Sequence, residues 1–433
     1  MKVYVVSLGC VKNRVDTEQM LSLLLSGGYE LTTDPAEAEV LLVNTCGFIE
    51  SANEESIDTI LGLARYKREG RARVLCVTGC LAQRYEQALL SEIPEIDCLM
   101  GVDRYKDIRG MLDRALKGER PHSVERSGGF LECGRVLTTP DYTAYIKIGD
   151  GCDNRCTYCA IPLIRGGHRS RKREDILNEV AELAKKGVRE HILIAQDTTR
   201  YGRDTGDSLE SLIRQAAAIE GVEWLRVLYM YPDEVTDSLL DTMAALPNVT
   251  PYLDLPLQHA SDRLLKAMNR RGSTADTRRL LKKVRDMGFC LRTTFIVGFP
   301  GETEEDFETL MDFTREMAFD RMGAFAYSPE EDTPAAAMPG QVSEEVKRAR
   351  LDRLMTLQAD VSYARNALRV GSEERVLVTG REKGLYLGRS AWEAPDADGV
   401  IRFEGPEGLR PGSFHQVRLT GADTYDLYGE AIV

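Results

Sequence analysis

Three of the ten cysteines in this 433-residue chain stand just beyond a short apolar run, and that placement constrains the fold more than any other feature. The runs "KVYVVSL", "AEVLLVNT" and "RARVLCVTG" precede Cys10, Cys46 and Cys80, and each is followed by a helical segment. Val/Leu-rich strands alternating with helices are what a parallel sheet covered on both faces requires. Right-handed crossovers then place the carboxyl ends of these strands on one edge, where open α/β sheets bind ligands. Three thiols can converge there. The alternative, that each is a small hydrophobe closing a strand, stays open. Cys76 lies inside a run, and Cys98 and Cys133 lack the placement, so these three are expected to be structural.

The opening "MKVYVVSLGC" reads as a strand ending on Cys10 rather than as a secretion signal or lipid-attachment site: its apolar run is shorter than the roughly 7–15 residues a signal needs, and Tyr4 and Ser7 interrupt it. No run approaches the roughly 18 apolar residues of a membrane helix. These features predict a cytoplasmic protein without membrane contact, whose thiols serve metal or catalysis rather than disulfides. A net charge of −13 disfavours direct nucleic-acid binding, which rests on Lys and Arg neutralising phosphates.

From Tyr142 a second βα series follows, with strands in "AYIKIGD", "EHILIAQD", "EWLRVLYMYP", "TPYLDLPLQ", "CLRTTFIVGFPG" and "RMGAFAYSP". Six parallel strands suit an incomplete (β/α)6 barrel, with chemistry at the carboxyl ends. The last 60 or so residues change to short strands split by Gly-rich turns, which read as a small five-stranded antiparallel barrel. The expected class is therefore α/β with a terminal β-barrel, and the expected domains are 1–116, 138–368 and 370–433.

"GDGCDNRCTYCAIP" places Cys152, Cys156 and Cys159 in one C-x3-C-x2-C loop. A structural zinc site wants four ligands, and no partner pair of Cys or His exists at suitable spacing. A redox C-x-x-C uses only two of the three. Three thiolates suit a cubane iron–sulfur cluster that keeps one iron open to a ligand.

On these residues the chain resembles the radical S-adenosylmethionine enzymes, in which the open iron holds S-adenosylmethionine and one electron releases a 5′-deoxyadenosyl radical. The resemblance implies that Tyr158 lies against the adenine. It likens "TFIVGFPGE" to a family strand whose glycines, here Gly298 and Gly301, let the nucleoside approach closely; a plain strand-to-helix turn explains them equally well. Gln196 and Asp197 end the second strand and Gln258 the fourth, so they are expected to face cofactor or substrate. "RGGHRSRKR" offers Arg165, Arg169 and Arg171 as partners for a cofactor or substrate carboxylate, with Arg292 of the same kind.

"SLGCVKNRVDTE", "VNTCGFIESA" and "VTGCLAQRY" extend the likeness over the whole chain, to the methylthiotransferases. That family joins an N-terminal three-cysteine domain, a radical S-adenosylmethionine core and a terminal TRAM barrel. It implies that Cys10, Cys46 and Cys80 hold a second cluster, giving two [4Fe–4S] clusters per chain. It also implies two S-adenosylmethionine molecules per turnover and a reductant such as flavodoxin or ferredoxin. One branch modifies tRNA isopentenyl- or threonylcarbamoyl-adenosine; the other modifies the β-carbon of an aspartate in ribosomal protein S-twelve. Lys12, "LIAQDTTRYG", Gln258-His259-Ala260 and Glu330-Glu331 resemble the protein-modifying branch. Asp332 stands where both branches commonly have glycine, which puts that turn in question. From Val370 onward eleven acidic side chains face seven basic ones, a net of −4. Such a barrel suits a basic ribosomal protein better than RNA.

Overall fold

The computed structural model describes residues 1–432, which form two compact units. The first comprises residues 1–140, 150–171 and 330–333. Its strands are β1 (Lys2–Ser7), β2 (Glu30–Leu31), β3 (Val40–Thr45), β4 (Val74–Gly79), β5 (Cys98–Met100) and β6 (His122–Ser123). They pair in the order β2-β1-β3-β4-β5-β6, all parallel. Successive residues of the central strands feed opposite cores. Val40, Leu42, Val74 and Cys76 pack on one face, and Leu41, Val43, Leu75 and Val77 on the other. Each such side chain contributes about 1.5–3 kcal/mol on burial. Strands β2, β5 and β6 carry two or three residues, too few for periodicity to reveal them.

The first unit takes in residues 117–137, which the expected domains leave unassigned, and the cysteine loop, which they place in 138–368. The stretch up to Pro140 is held by Arg135, whose guanidinium pairs with the buried Glu18 carboxylate, and by Gln19, which donates to the Leu131 carbonyl at 2.7 Å. The C-x3-C-x2-C loop joins through Ala160 and Ile164, which pack in the same core as Cys80 and Met100. The two-residue strands β8 (Gly149–Asp150) and β9 (Arg169–Ser170) flank that loop, and β7 (Thr143–Lys147) precedes it.

The second unit carries β7, β10 (Glu190–Ile194), β11 (Trp224–Val227), β12 (Tyr252–Gln258), β13 (Cys290–Val297) and β14 (Arg321–Ala326). Two parallel sheets, β7-β10-β11 and β12-β13-β14, meet at a single bridge between Leu225 and Val249. This is the expected incomplete barrel. The terminal strands β15 (Glu373–Glu382), β16 (Leu385–Arg389), β17 (Ile401–Glu404), β18 (Phe414–Ala422) and β19 (Leu427–Ala431) close in the order β15-β16-β17-β19-β18. Four pairs are antiparallel, but β17 and β19 run parallel. A ring with an odd number of strands cannot alternate direction throughout, so one parallel pair is unavoidable.

Buried charge pairs fasten this small barrel to the strands of its own unit. Glu190 on β10 receives hydrogen bonds from Arg226 Nε (3.1 Å) and Arg389 Nη2 (2.5 Å), and Glu393 receives them from Arg321 and Arg369. Trp224 meets Phe414 edge-on at 4.8 Å, and the Tyr252 hydroxyl donates to Asp398 at 2.6 Å. Burial acts to raise the Glu190 carboxyl, but Arg389 and Arg226 outweigh it and hold it down to about 2. Glu190→Gln leaves two buried guanidiniums short of a counter-charge and is expected to cost about 3–5 kcal/mol at neutral pH. A carboxyl lowered in the folded state stabilises above its ordinary value of 4.5 and loses that contribution as pH falls toward about 2. Denaturation curves across this window should show wild type losing more stability than Glu190→Gln; equal acid losses would contradict the latch.

Candidate cysteine-based metal centres

Each cysteine of the early trio sits at the carboxyl edge of the first sheet with a glycine beside it. Cys10 precedes the helix Val11–Ser26, Cys46 follows β3, and Cys80 opens the helix Cys80–Arg84. A Cβ on Gly9 (φ +83°) would lie 2.8 Å from Cys46 Sγ. One on Gly47 would lie 2.9 Å from the Cys80 carbonyl carbon, and one on Gly79 (φ +98°) 2.7 Å from the Thr45 nitrogen. Real Cβ atoms do not approach so closely, so only glycine lets the three loops close on one another. Sequence patterning located the cysteines but passed over this signal, which is visible in "LGC", "TCG" and "TGC".

Polar groups hold the loops in register. Ser56 Oγ accepts from the Cys46 N–H (3.1 Å) and donates to the Cys46 carbonyl (2.9 Å). Arg84 donates to the Gly47 carbonyl at 3.3 Å and to Glu330 at 2.9 Å, and Glu330 also accepts the Glu50 N–H. Glu330 thus serves inside the first unit, beside the Cys46 loop. Asn13 donates to the Leu8 and Thr45 carbonyls at 3.1 and 2.8 Å, tying the loop before Cys10 to the one before Cys46. The thiols sense each other. Burial pushes Cys80 up to about 12; Arg165 opposes that rise, and the Cys10 and Cys46 thiols add to it. Burial likewise raises Cys46, with Cys10 contributing.

The later trio is shaped by backbone geometry. Gly151 (φ +76°) has no room for a Cβ, which would lie 2.7 Å from the Gly166 carbonyl oxygen. The Cys152 N–H donates to that same carbonyl at 3.0 Å, and the Cys159 N–H to the Cys156 carbonyl at 3.0 Å. Arg155 takes a left-handed conformation, φ +48°, to turn the chain between the first two cysteines. Cys156 is buried, while Cys152, Tyr158 and Cys159 are half-buried.

The ten cysteines carry thiols rather than disulfides, the donor type that iron–sulfur clusters take. Among the described residues no three His, Cys, Asp or Glu side chains close on a single mononuclear ion. A cubane takes its thiolates at separate corners, so that observation does not count against it. Each trio supplies three thiol donors of the type a cubane takes. Cys76 and Cys98 face each other across β4 and β5 in the core, and Cys133 donates to the Gln19 carbonyl.

The arginines do not behave as free carboxylate binders. Arg165 is fully buried and bonds Asp150 and Asp16, each at 2.9 Å. Arg169 pairs with Asp103 at 3.0 Å, Arg171 with Glu132 at 2.5 Å, and Arg292 with Asp254 at 2.7 Å. Each charge is met by a carboxylate of its own unit, so a role for any of them toward cofactor or substrate would be exercised from within an internal ion pair. At Gly298 (φ +73°) a Cβ would fall on Lys347 Cγ, so the glycine makes room for the lysine stem. Gly301 is a turn residue, φ +78°, donating to the Gly340 carbonyl at 2.7 Å. Asp197 accepts the Thr199 N–H at 3.1 Å and caps a short turn. Gln196 and Gln258 lie half-buried at the carboxyl ends of β10 and β12. Gln258 sits at φ +74° beside a bulge, a conformation unusual for its residue type. Asp332 adopts φ +61°, so the turn that prefers glycine forms with a residue type that tolerates the left-handed region.

Gly79→Ala is expected to cost about 1–3 kcal/mol in backbone strain alone and to displace Cys80. Chemical denaturation beside the wild type checks this; unchanged stability would contradict the crowding.

Residues 146–314 match the Radical SAM superfamily, residues 2–101 the Uncharacterized protein family UPF0004, and residues 370–432 the TRAM domain. The chain is 51% identical to ribosomal protein uS12 methylthiotransferase RimO of Pelotomaculum thermopropionicum, over 100% of both chains. It is 49% identical to the protein of that name from Geobacter sulfurreducens, over 100% of this chain and 98% of the other. Among solved structures it is similar to the radical S-adenosylmethionine methyltransferase TsrM from Kitasatospora setae. The TM-score there is 0.60 at 14% identity, over 83% of this chain and 89% of that one. At that identity the likeness is one of fold.

Proposed function

The chain belongs to the family of ribosomal protein uS12 methylthiotransferases, and from that premise we propose that each of its cysteine trios holds a [4Fe–4S] cluster. It is a radical S-adenosylmethionine enzyme acting on ribosomal protein uS12. Superfamily membership brings S-adenosylmethionine and one cluster, which the reading gives to Cys152, Cys156 and Cys159. The second cluster falls to Cys10, Cys46 and Cys80. The observation that carries this assignment is the mutual crowding of three glycine-flanked thiols at one sheet edge.

When bound, the cofactor and the clusters supply hydrogen abstraction from an aspartate β-carbon and the methylated sulfur that replaces it. The chain's own residues hold and shield. Gly9, Gly47 and Gly79 let the early thiols converge, and Ser56 and Arg84 fix the Cys46 loop. Gly151 and Arg155 bend the later loop, and burial of Cys156 keeps water from its sulfur. Contacts to S-adenosylmethionine are given to Tyr158, Gln196 and Gln258. The proposed division of labour follows the chain: auxiliary cluster in 1–116, radical chemistry in 138–368, and substrate docking from 370 onward. In the terminal barrel Glu393, Asp398 and Arg389 turn inward, so its remaining surface stays acidic and suits a basic protein substrate. A low-potential one-electron donor, flavodoxin or ferredoxin, completes the reaction. Among the described residues no helix is long and apolar enough to cross a membrane.

Anaerobically reconstituted protein, supplied with S-adenosylmethionine, reductant and uS12, should add a methylthio group to one aspartate, read as a mass gain on that peptide. Cys156→Ala should abolish 5′-deoxyadenosine formation. Cys46→Ala should keep cofactor cleavage and lose sulfur insertion. Full turnover by both variants, or a methylthio group on tRNA nucleosides with uS12 unchanged, would contradict the reading.

A further inference from the structure

We propose that Arg165 sets the reduction potential of the cluster held by the early trio, by donating a hydrogen bond to the Cys80 sulfur. The inference rests on the reading of Cys10, Cys46 and Cys80 as cluster ligands. Arg165 ends the short helix Ile161–Arg165, just after the C-x3-C-x2-C loop, yet its side chain reaches the early cysteines. Its Nη2 lies 2.7 Å from Asn13 Oδ1, 2.9 Å from Asp16 Oδ2 and 3.7 Å from Cys80 Sγ, while Nη1 bonds Asp150 at 2.9 Å. The guanidinium is 1% exposed and Asp16 is fully buried, so neither can swing away to water.

The orientation of Asn13 sharpens the point. Its amide nitrogen is used by the Leu8 and Thr45 carbonyls, which leaves Oδ1 facing both Arg165 and Cys80. As a free thiol, Cys80 donates to that oxygen at 3.7 Å. As a thiolate ligand it has no proton to donate and accepts instead from the guanidinium, one Nη2 N–H being shared between the sulfur and Asn13 Oδ1. Reduction adds negative charge to a cluster, so a cation and a hydrogen bond at a ligand sulfur favour the reduced form. Burial strengthens both effects by excluding solvent screening. A lysine could supply the charge but not the fork that spans Asp150, Asp16, Asn13 and Cys80. A purely structural Arg165 would only tie its helix to the helix Val11–Ser26, and would leave the potential untouched once the cluster was bound.

The test uses the full-length protein with Cys152, Cys156 and Cys159 changed to alanine, so that only the early cluster titrates. After anaerobic reconstitution, its midpoint is read by electron paramagnetic resonance during titration with dithionite. Arg165→Gln should shift the midpoint negative and Asp16→Asn should shift it positive, each retaining about four irons. Arg171→Gln removes an equally buried guanidinium whose partner is Glu132, and should leave the midpoint in place. General loosening of the fold does not produce shifts of opposite sign. A wild-type midpoint in iron-replete Arg165→Gln, or a negative shift in Asp16→Asn, overturns the proposal. If Arg165→Gln takes up no iron, the sign of the Asp16→Asn shift decides. A parent protein that binds no iron overturns the cluster reading itself, and the proposal with it.

Discussion

The close approach of three loops at the carboxyl edge of a parallel sheet is the constraint on which the early trio depends. Right-handed βα crossovers deliver Cys10, Cys46 and Cys80 to the same edge. Delivery alone is not convergence. Gly9 must leave room for Cys46, Gly47 for Cys80 and Gly79 for the Thr45 backbone, so each loop's fit depends on the next. Burial leaves Cys80 reluctant to ionise, with Arg165 opposing the rise; on the proposed reading a bound cluster supplies the rest of the favourable charge.

Much of this was legible in the sequence because it is written locally. Apolar runs, helical segments and the cysteine after each run fix a βα order without long-range information. The C-x3-C-x2-C spacing identifies its loop by itself. What stayed hidden has its cause far along the chain. Arg165, Arg169, Arg171 and Arg292 looked like free cations because Asp16, Asp103, Glu132 and Asp254 are 38 to 149 residues away. The packing of Lys347 beside Gly298 was hidden too, because the lysine belongs to the long helix Glu344–Ala367. The latch of Glu190 and Arg389 spans 199 residues and has no sequence signature at all. The parallel pair in the terminal barrel follows from ring parity, which strand patterning does not register.

The terminal barrel also shows how formal charge misleads in detail while remaining right in direction. Glu393 and Asp398 are buried among Arg321, Arg369 and Arg292, and Arg389 is buried on Glu190, so these charges fasten the barrel instead of meeting a partner. The carboxylates left on the surface still outnumber the cations. On the proposed reading, in which this barrel docks the substrate, such a surface favours a basic protein over RNA.

The central claim is that six thiolates in two trios each carry a cubane. Counting iron and inorganic sulfide per chain tests it most directly, in anaerobically reconstituted wild type and in variants that lack either trio. The account predicts about eight irons in wild type and about four after alanine replacement of either Cys10, Cys46 and Cys80 or Cys152, Cys156 and Cys159. About four irons in wild type, unaffected by loss of the early trio, would contradict it.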